Sequence, residues 1–193
     1  LFAYEFNGYW KDVGTLGSYW EANMELIDLI PEFNLYEEYW KIYTKSDTIE
    51  PLYVSPEGHS ERSIIGEGTE NYGYVQNSVI GSNVKIGKGA VIRDSIIMRD
   101  AVIGDRCTID KSIIAENSRI GEGAVLGVGE EAPNVLNESI YSFGLVTVGE
   151  DTVIPENVRI GKNTAISGKT VHEDYPNGEL AGGQVIIKAG DGK

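Results

Sequence analysis

Along most of the chain a large aliphatic residue recurs every six positions, with one step in three shortened to five. Isoleucine stands at 80, 97 and 114 and again at 86, 103 and 120, and a third series runs Ile92, Ile109, Leu126. Serine keeps the same interval of 17 residues at 78, 95 and 112. A fixed period of this kind marks a solenoid. Three inward aliphatics per period call for three short strands per coil, which close into a triangular prism. Glycine often follows the aliphatic residue, and Gly and Asn at the corners tolerate the positive φ of tight turns. The pattern therefore predicts a mainly β chain: a left-handed parallel β-helix of hexapeptide repeats from about Ser63 to about Val171. Further hexads at Ile65–Thr69, Val148–Thr152, Ile154–Val158 and Ile160–Thr164 bring the expectation to about six coils, broken by a loop near Gly129–Asn137. A leucine-rich repeat is excluded, because the chain shows no LxxLxL runs with helical stretches between them.

The texture changes upstream. Leu1–Phe6 reads as a strand. Thr15 then reads as an N-cap, followed by Leu16, Tyr19, Trp20, Met24, Ile27 and Ile30 at helical spacing, with Asn23 the one polar residue on that face and Pro31 closing the helix. The next stretch carries Phe33, Tyr36, Tyr39, Trp40, Tyr43 and Tyr53, interrupted by Pro51, Pro56 and Gly58. So many rings point to a connector that packs on something. Three segments follow: 1–32, a connector 33–62, and the β-helix 63–193.

Charge narrows the choice of partners. Thirty acidic against 16 basic residues leave a formal charge of −14, which repels a phosphate backbone and argues against nucleic acid. An anionic small ligand would need a local cluster of Lys or Arg. A single cysteine, Cys107, allows no internal disulfide, and no Cys/His cluster suggests zinc. No apolar run approaches 18 residues, so no membrane span is expected and the chain reads as cytoplasmic. Its opening on Leu1 suggests a piece of a longer protein.

Two places bear chemistry. His59 and His172 are the only histidines, and each reads as an exposed loop residue rather than the general base a hexapeptide-repeat acyltransferase needs. The run Gly8-Tyr9-Trp10-Lys11-Asp12-Val13-Gly14-Thr15 is sharper. A carboxylate between a strand and a helix, followed by Gly and Thr, suits a magnesium ligand at the edge of an α/β sheet. Asp12 is equally open to reading as an ordinary loop residue near a helix start.

Gly8–Ile27 (GYWKDVGTLGSYWEANMELI) resembles the end of the catalytic domain of bacterial glucose-1-phosphate adenylyltransferases (ADP-glucose pyrophosphorylases). Asn34–Tyr36 and Trp40–Thr44 resemble that family's linker, and Gln76–Ile80 and Asp94–Met98 its β-helix. The resemblance covers at least residues 4–171. It implies that 1–32 is a short α/β remnant of a nucleotidyltransferase domain. It implies a full-length enzyme that makes ADP-glucose and pyrophosphate from ATP and glucose 1-phosphate for glycogen or starch synthesis. Asp12 would be one of two carboxylates holding a catalytic Mg²⁺, with Tyr9 and Trp10 either beside the site or packed under the sheet.

The family's GxGxRL-type nucleotide loop, its other metal aspartate and its sugar-phosphate lysines lie upstream of Leu1. The chain alone is therefore expected to be inactive and to bind no cofactor. The β-helix is expected to supply allosteric regulation by small phosphorylated effectors, and self-association within a homotetramer. The position of a plant activator-binding lysine falls on Glu150, so that contact does not carry over. Arg159, Lys162 and Lys169 form either an effector anion site or a solvated basic edge. A non-catalytic regulatory subunit of the same pathway is the alternative, with a hexapeptide-repeat acyltransferase behind it. The intact WKDVGT argues against both.

Overall fold

The computed structural model describes residues 1–39, 41, 43 and 48–188. Three parallel sheets run the length of a prism. The first holds Tyr53–Val54, Glu70–Asn71, Lys85–Ile86, Val102–Ile103, Arg119–Ile120 and Val153–Ile154. The second holds His59–Glu61, Tyr74–Gln76, Val91–Arg93, Thr108–Asp110, Val125–Val128, Arg159–Gly161 and Glu179–Leu180. The third holds Ile64–Ile65, Val79–Ile80, Ile96–Ile97, Ser112–Ile114, Val146–Val148, Thr164–Ser167 and Val185–Ile187. The fold is the hexapeptide-repeat β-helix that the period predicts.

Register follows the period closely. Ile103 pairs with Ile86 on one side and Ile120 on the other. Ile109 lies between Ile92 and Leu126, and Ile97 between Ile80 and Ile114. All nine side chains are buried. Each fully buried aliphatic contributes roughly 1.5–3 kcal/mol, and their stacking makes one continuous core along the axis. The glycine after the aliphatic is required by close approach: a Cβ on Gly104 would lie 2.7 Å from the amide nitrogen of Glu122 in the next coil. Serines at the 17-residue interval form a second ladder. The amide of Ser95 donates to Ser78 Oγ and that of Ser112 to Ser95 Oγ, each at 3.1 Å.

The corners are less uniform than expected. Asn77, Asn83 and Asn117 do take positive φ, but so do Asp94, Asp100, Arg62, Arg106 and Lys111.

The prism is longer than about six coils, with seven strands in two of its sheets. Its first strands, Tyr53–Val54 and His59–Glu61, fall inside the stretch 33–62 assigned to the connector. That coil hides because Ser60, which pairs with the inward Val75, is polar and breaks the aliphatic series. Beyond Val171 the stack continues through Glu179–Leu180 and Val185–Ile187, where the spacing departs from 17. The interruption spans 129–145, longer than Gly129–Asn137. Across it Ile113 pairs with Thr147, two periods further along the chain.

Upstream, Leu1–Phe6 is not a strand, since among the described residues no neighbour pairs with it. Helix α1 (Leu16–Glu25) begins at Thr15 as predicted. The Thr15 side chain accepts from the Ser18 amide, and the Ser18 hydroxyl accepts from the Thr15 amide, each at 3.1 Å. The helix ends well before Pro31. The amides of Leu26, Ile27 and Asp28 bond three residues back, to Asn23, Met24 and Glu25, which tightens the last turn and releases Ile27 and Ile30 from the helix. Tyr36, Tyr39 and Tyr43 are exposed rather than packed on a coil, while Phe33 stacks on Tyr9 at 5.5 Å. Trp40, Ile42 and Thr44 lie outside the described residues. Among the described residues no helix is long and apolar enough to cross a membrane.

Candidate functional site

Helix α1 lies on the third face of the prism. In a β-helix strand one residue points inward and its neighbour outward. At most rungs the outward residue is polar or half-exposed, but Ile96 and Ile113 point outward and are still buried. What covers them is Leu16, Tyr19, Trp20 and Met24 of α1, together with Leu145 and Met98. The doubled pairs Ile96-Ile97 and Ile113-Ile114 were the available signal for this docking face, legible only once the inward register is known. The Trp20 indole N–H donates to the carbonyl oxygen of Asp94 at 2.7 Å.

This docking sets the place of Asp12. The segment before α1 is held at its side. Tyr9 donates its hydroxyl to Glu25 Oε2 at 3.2 Å, and Lys11 Nζ pairs with Glu25 and, at 3.5 Å, with Glu21. The Lys11 ammonium holds the Glu25 carboxyl below the ordinary glutamate range, and the Glu25 hydrogen bond raises Lys11 in turn. Desolvation first, and then the bond to Glu25, push the Tyr9 phenol up. Trp10 is exposed. Asp12 is exposed as well, with Oδ1 accepting from the Gly14 amide at 2.9 Å in a tight turn that runs straight into the Thr15 cap. A cleft of about 360 Å³ opens beside that turn, lined by Val13, Gly14, Thr15, Leu16 and Tyr19 and, across from them, by Ser139 and Ile140 of the 129–145 insertion.

Asp12 fits a hard cation as one oxygen donor, which is the usual protein share of a Mg²⁺ that also binds substrate phosphates. The described residues contain no group of three or more His, Cys, Asp or Glu side chains suited to an ion.

The remaining candidates are dispersed. Arg159 opens a strand of the second face, Lys162 sits at the corner that follows it and faces Glu131 at 3.9 Å, and Lys169 bridges Val153 on the first face. Glu150 is an exposed corner residue. His59 stacks flat on Tyr74 at 5.8 Å, and His172 Nε2 lies 3.0 Å from the Glu156 carbonyl oxygen. Residues the pattern did not single out are Lys111 and Phe143, which meet Trp20: the ammonium lies 4.1 Å from the Phe143 ring centroid and 5.5 Å from that of Trp20. Lys111 shares its corner position with Asn77 and Asp94 but not its residue type, and Phe143 lies in a non-repeating loop, so the repeat singles out neither.

A family model described as the EIF2B subunit epsilon LbH domain matches residues 55–131. Glucose-1-phosphate adenylyltransferase of Lachnospira eligens is 69% identical over 191 residues, which are 99% of this chain and 45% of that protein. The proteins of the same name from Acetivibrio thermocellus and Thermotoga neapolitana are 42% and 45% identical, over 99% and 97% of this chain and 45% and 44% of theirs. Among solved structures, the acetyltransferase domain of PglB from Neisseria gonorrhoeae FA1090 aligns at a TM-score of 0.43 and 18% identity, over 68% of this chain and 55% of that one, a likeness too slight to bear on function. The chain thus spans less than half the length of the curated relatives it matches, and by its sequence it belongs to the glucose-1-phosphate adenylyltransferase family, corresponding to the C-terminal part of its members.

Proposed function

We propose that this chain is the C-terminal part of an enzyme that makes ADP-glucose and pyrophosphate from ATP and glucose 1-phosphate in cytoplasmic glycogen synthesis. In this reading the β-helix serves assembly, as a homotetramer, and regulation by small phosphorylated effectors. The observation that carries it is the retention of the Asp12 turn on a helix docked against the β-helix, in a chain 69% identical to a named member over nearly its whole length.

Asp12 is the residue of this chain that would hold Mg²⁺, whose chemistry is to neutralise phosphate charge as the sugar phosphate attacks. The part of the chain's other residues is positional. The Thr15–Ser18 capping box sets where α1 starts, the Asp12–Gly14 turn sets the carboxylate one step before it, and the Tyr9–Glu25–Lys11 cluster holds the approach to the turn. The cleft between Val13 and Ile140 keeps an apolar wall beside the turn. His59 stacks on Tyr74 and His172 lies against the Glu156 carbonyl oxygen, contacts that lend no support to the acyltransferase alternative.

Pyrophosphate release from ATP and glucose 1-phosphate tests the reading. The full-length protein should show it, Asp12→Asn should lower turnover by roughly two orders of magnitude or more without changing the melt, and the 193-residue chain alone should show none. An unchanged rate in Asp12→Asn removes Asp12 from the catalytic group. Light scattering across a dilution series tests assembly: at least a dimer is expected of the chain, and a strict monomer would place the tetramer contacts elsewhere.

A further inference from the structure

The insertion at 129–145 is built as a rigid element. Asn163 donates from Nδ2 to the Ala132 carbonyl at 3.0 Å and accepts at Oδ1 from the Gly144 amide at 2.7 Å. Asn134 donates from Nδ2 to the Asn163 carbonyl at 2.7 Å, while its own Oδ1 accepts from the amides of Leu136 and Asn137. The two asparagines are 7% and 6% exposed. Buried amides with their donors and acceptors satisfied hold a backbone to one geometry. The Val135 amide adds a bond to the Gly183 carbonyl at 2.9 Å.

From this clasp the insertion reaches back to α1. The Phe143 ring meets Trp20 edge-on, 5.8 Å between centroids, and a Cβ on Gly17 would touch the same ring at 3.7 Å. Lys111 stands over both rings, a shared cation–π contact. A helix of ten residues has little stability of its own, so its angle on the face is set by what touches it. The Trp20–Asp94 hydrogen bond pins one point. Phe143, lying against Gly17 nearly one turn earlier, supplies a second, and two points fix a direction.

We propose that residues 129–145 act as a strap that fixes the angle of α1 on the β-helix and, through the Thr15 cap, the position of the Asp12 turn. Phe143 and Lys111 are then positioning residues for the adenylyl transfer. This rests on the functional reading of Asp12 given above.

Two measurements test it separately. In the 193-residue chain with Trp10→Phe and Trp40→Phe, Trp20 is the sole indole. Phe143→Ala should red-shift its emission and raise its quenching by acrylamide severalfold, with the far-UV circular dichroism melt of the prism retained. Lys111→Met should move it the same way, and Lys111→Arg should restore it. Phe143→Leu, closer in volume, serves where Phe143→Ala melts early. In the full-length protein Phe143→Ala should lower kcat about tenfold while KM for both substrates stays within about twofold, and Phe143→Tyr should recover the loss. Unchanged quenching overturns the strap. A released Trp20 with unchanged kcat overturns the positioning role. An inactive parent protein overturns the functional reading, and the strap itself is then decided by the quenching result.

Discussion

Trp20 and Asp94 are 74 residues apart in sequence, and the indole N–H of one donates to the backbone carbonyl of the other at 2.7 Å. The acceptor belongs to a corner of the prism, where Asp94 takes a positive φ of 48°. A corner residue between two strands of one coil thus becomes the anchor for a helix laid outside the coil.

Trp20→Phe keeps most of the ring's packing and removes this donor. A single neutral hydrogen bond is worth about 1 kcal/mol net. Amide hydrogen exchange across Leu16–Glu25 should therefore speed up several-fold while exchange in the stacked strands stays as it was. Equal protection in the two proteins would show that packing alone holds the helix.

Ile103 tests the core. It is 1% exposed between Ile86 and Ile120. Ile103→Asp buries a carboxylate with no partner and should cost several kcal/mol, enough to unfold the middle coils. Ile103→Val should cost only about 0.5–1.5 kcal/mol. Denaturant melts of both variants measure the contrast, and a cooperative, near-normal melt of the Asp variant would refute the register.

Ser95 links two rungs. Its hydroxyl donates to the Arg93 carbonyl at 2.6 Å and accepts from the Ser112 amide at 3.1 Å. Ser95→Ala leaves that amide unpaired at a buried position and should cost about 1–3 kcal/mol. Urea unfolding gives the number, and a loss below a few tenths would mean that Ser112 finds another acceptor.

Glu25 makes the approach to the Asp12 turn sensitive to acid. Its carboxyl is held low chiefly by Lys11, with the Tyr9 hydroxyl adding to this. A group whose pKa is lowered on folding contributes stability that is complete above its unfolded pKa and is lost as pH falls through the folded one. The protection of α1 should therefore differ between wild type and Glu25→Gln at pH 7 and converge as pH drops below the ordinary glutamate range. A difference that persists into strong acid would separate Glu25 from the effect.

Periodicity made the prism readable, because an inward aliphatic every five or six residues has one economical three-dimensional solution. It failed where the inward position is polar, at Ser60, and where spacing drifts, after Val171. The helix start was readable from Thr15, since a cap is a local matter. Its end was not: Ile27 and Ile30 keep helical spacing, but the tightened turn at Leu26–Asp28 takes them off the helix. Asp12 could be singled out through its motif, and its turn is local too. Phe143 and Lys111 could not, because their meeting with Trp20 depends on how a non-repeating segment folds back over a repeating one.

Ile113 and Thr147 sit on neighbouring rungs although two periods lie between them. The excursion between them is one whole coil in length, so Val148, Ile154 and Ile160 just beyond it fall in phase with Ile114, Ile120 and Leu126. The 17 added residues thus leave the next three strands paired in parallel on the coil below. One coil's worth of chain goes into reach to the side instead of height along the axis, and what it reaches is α1.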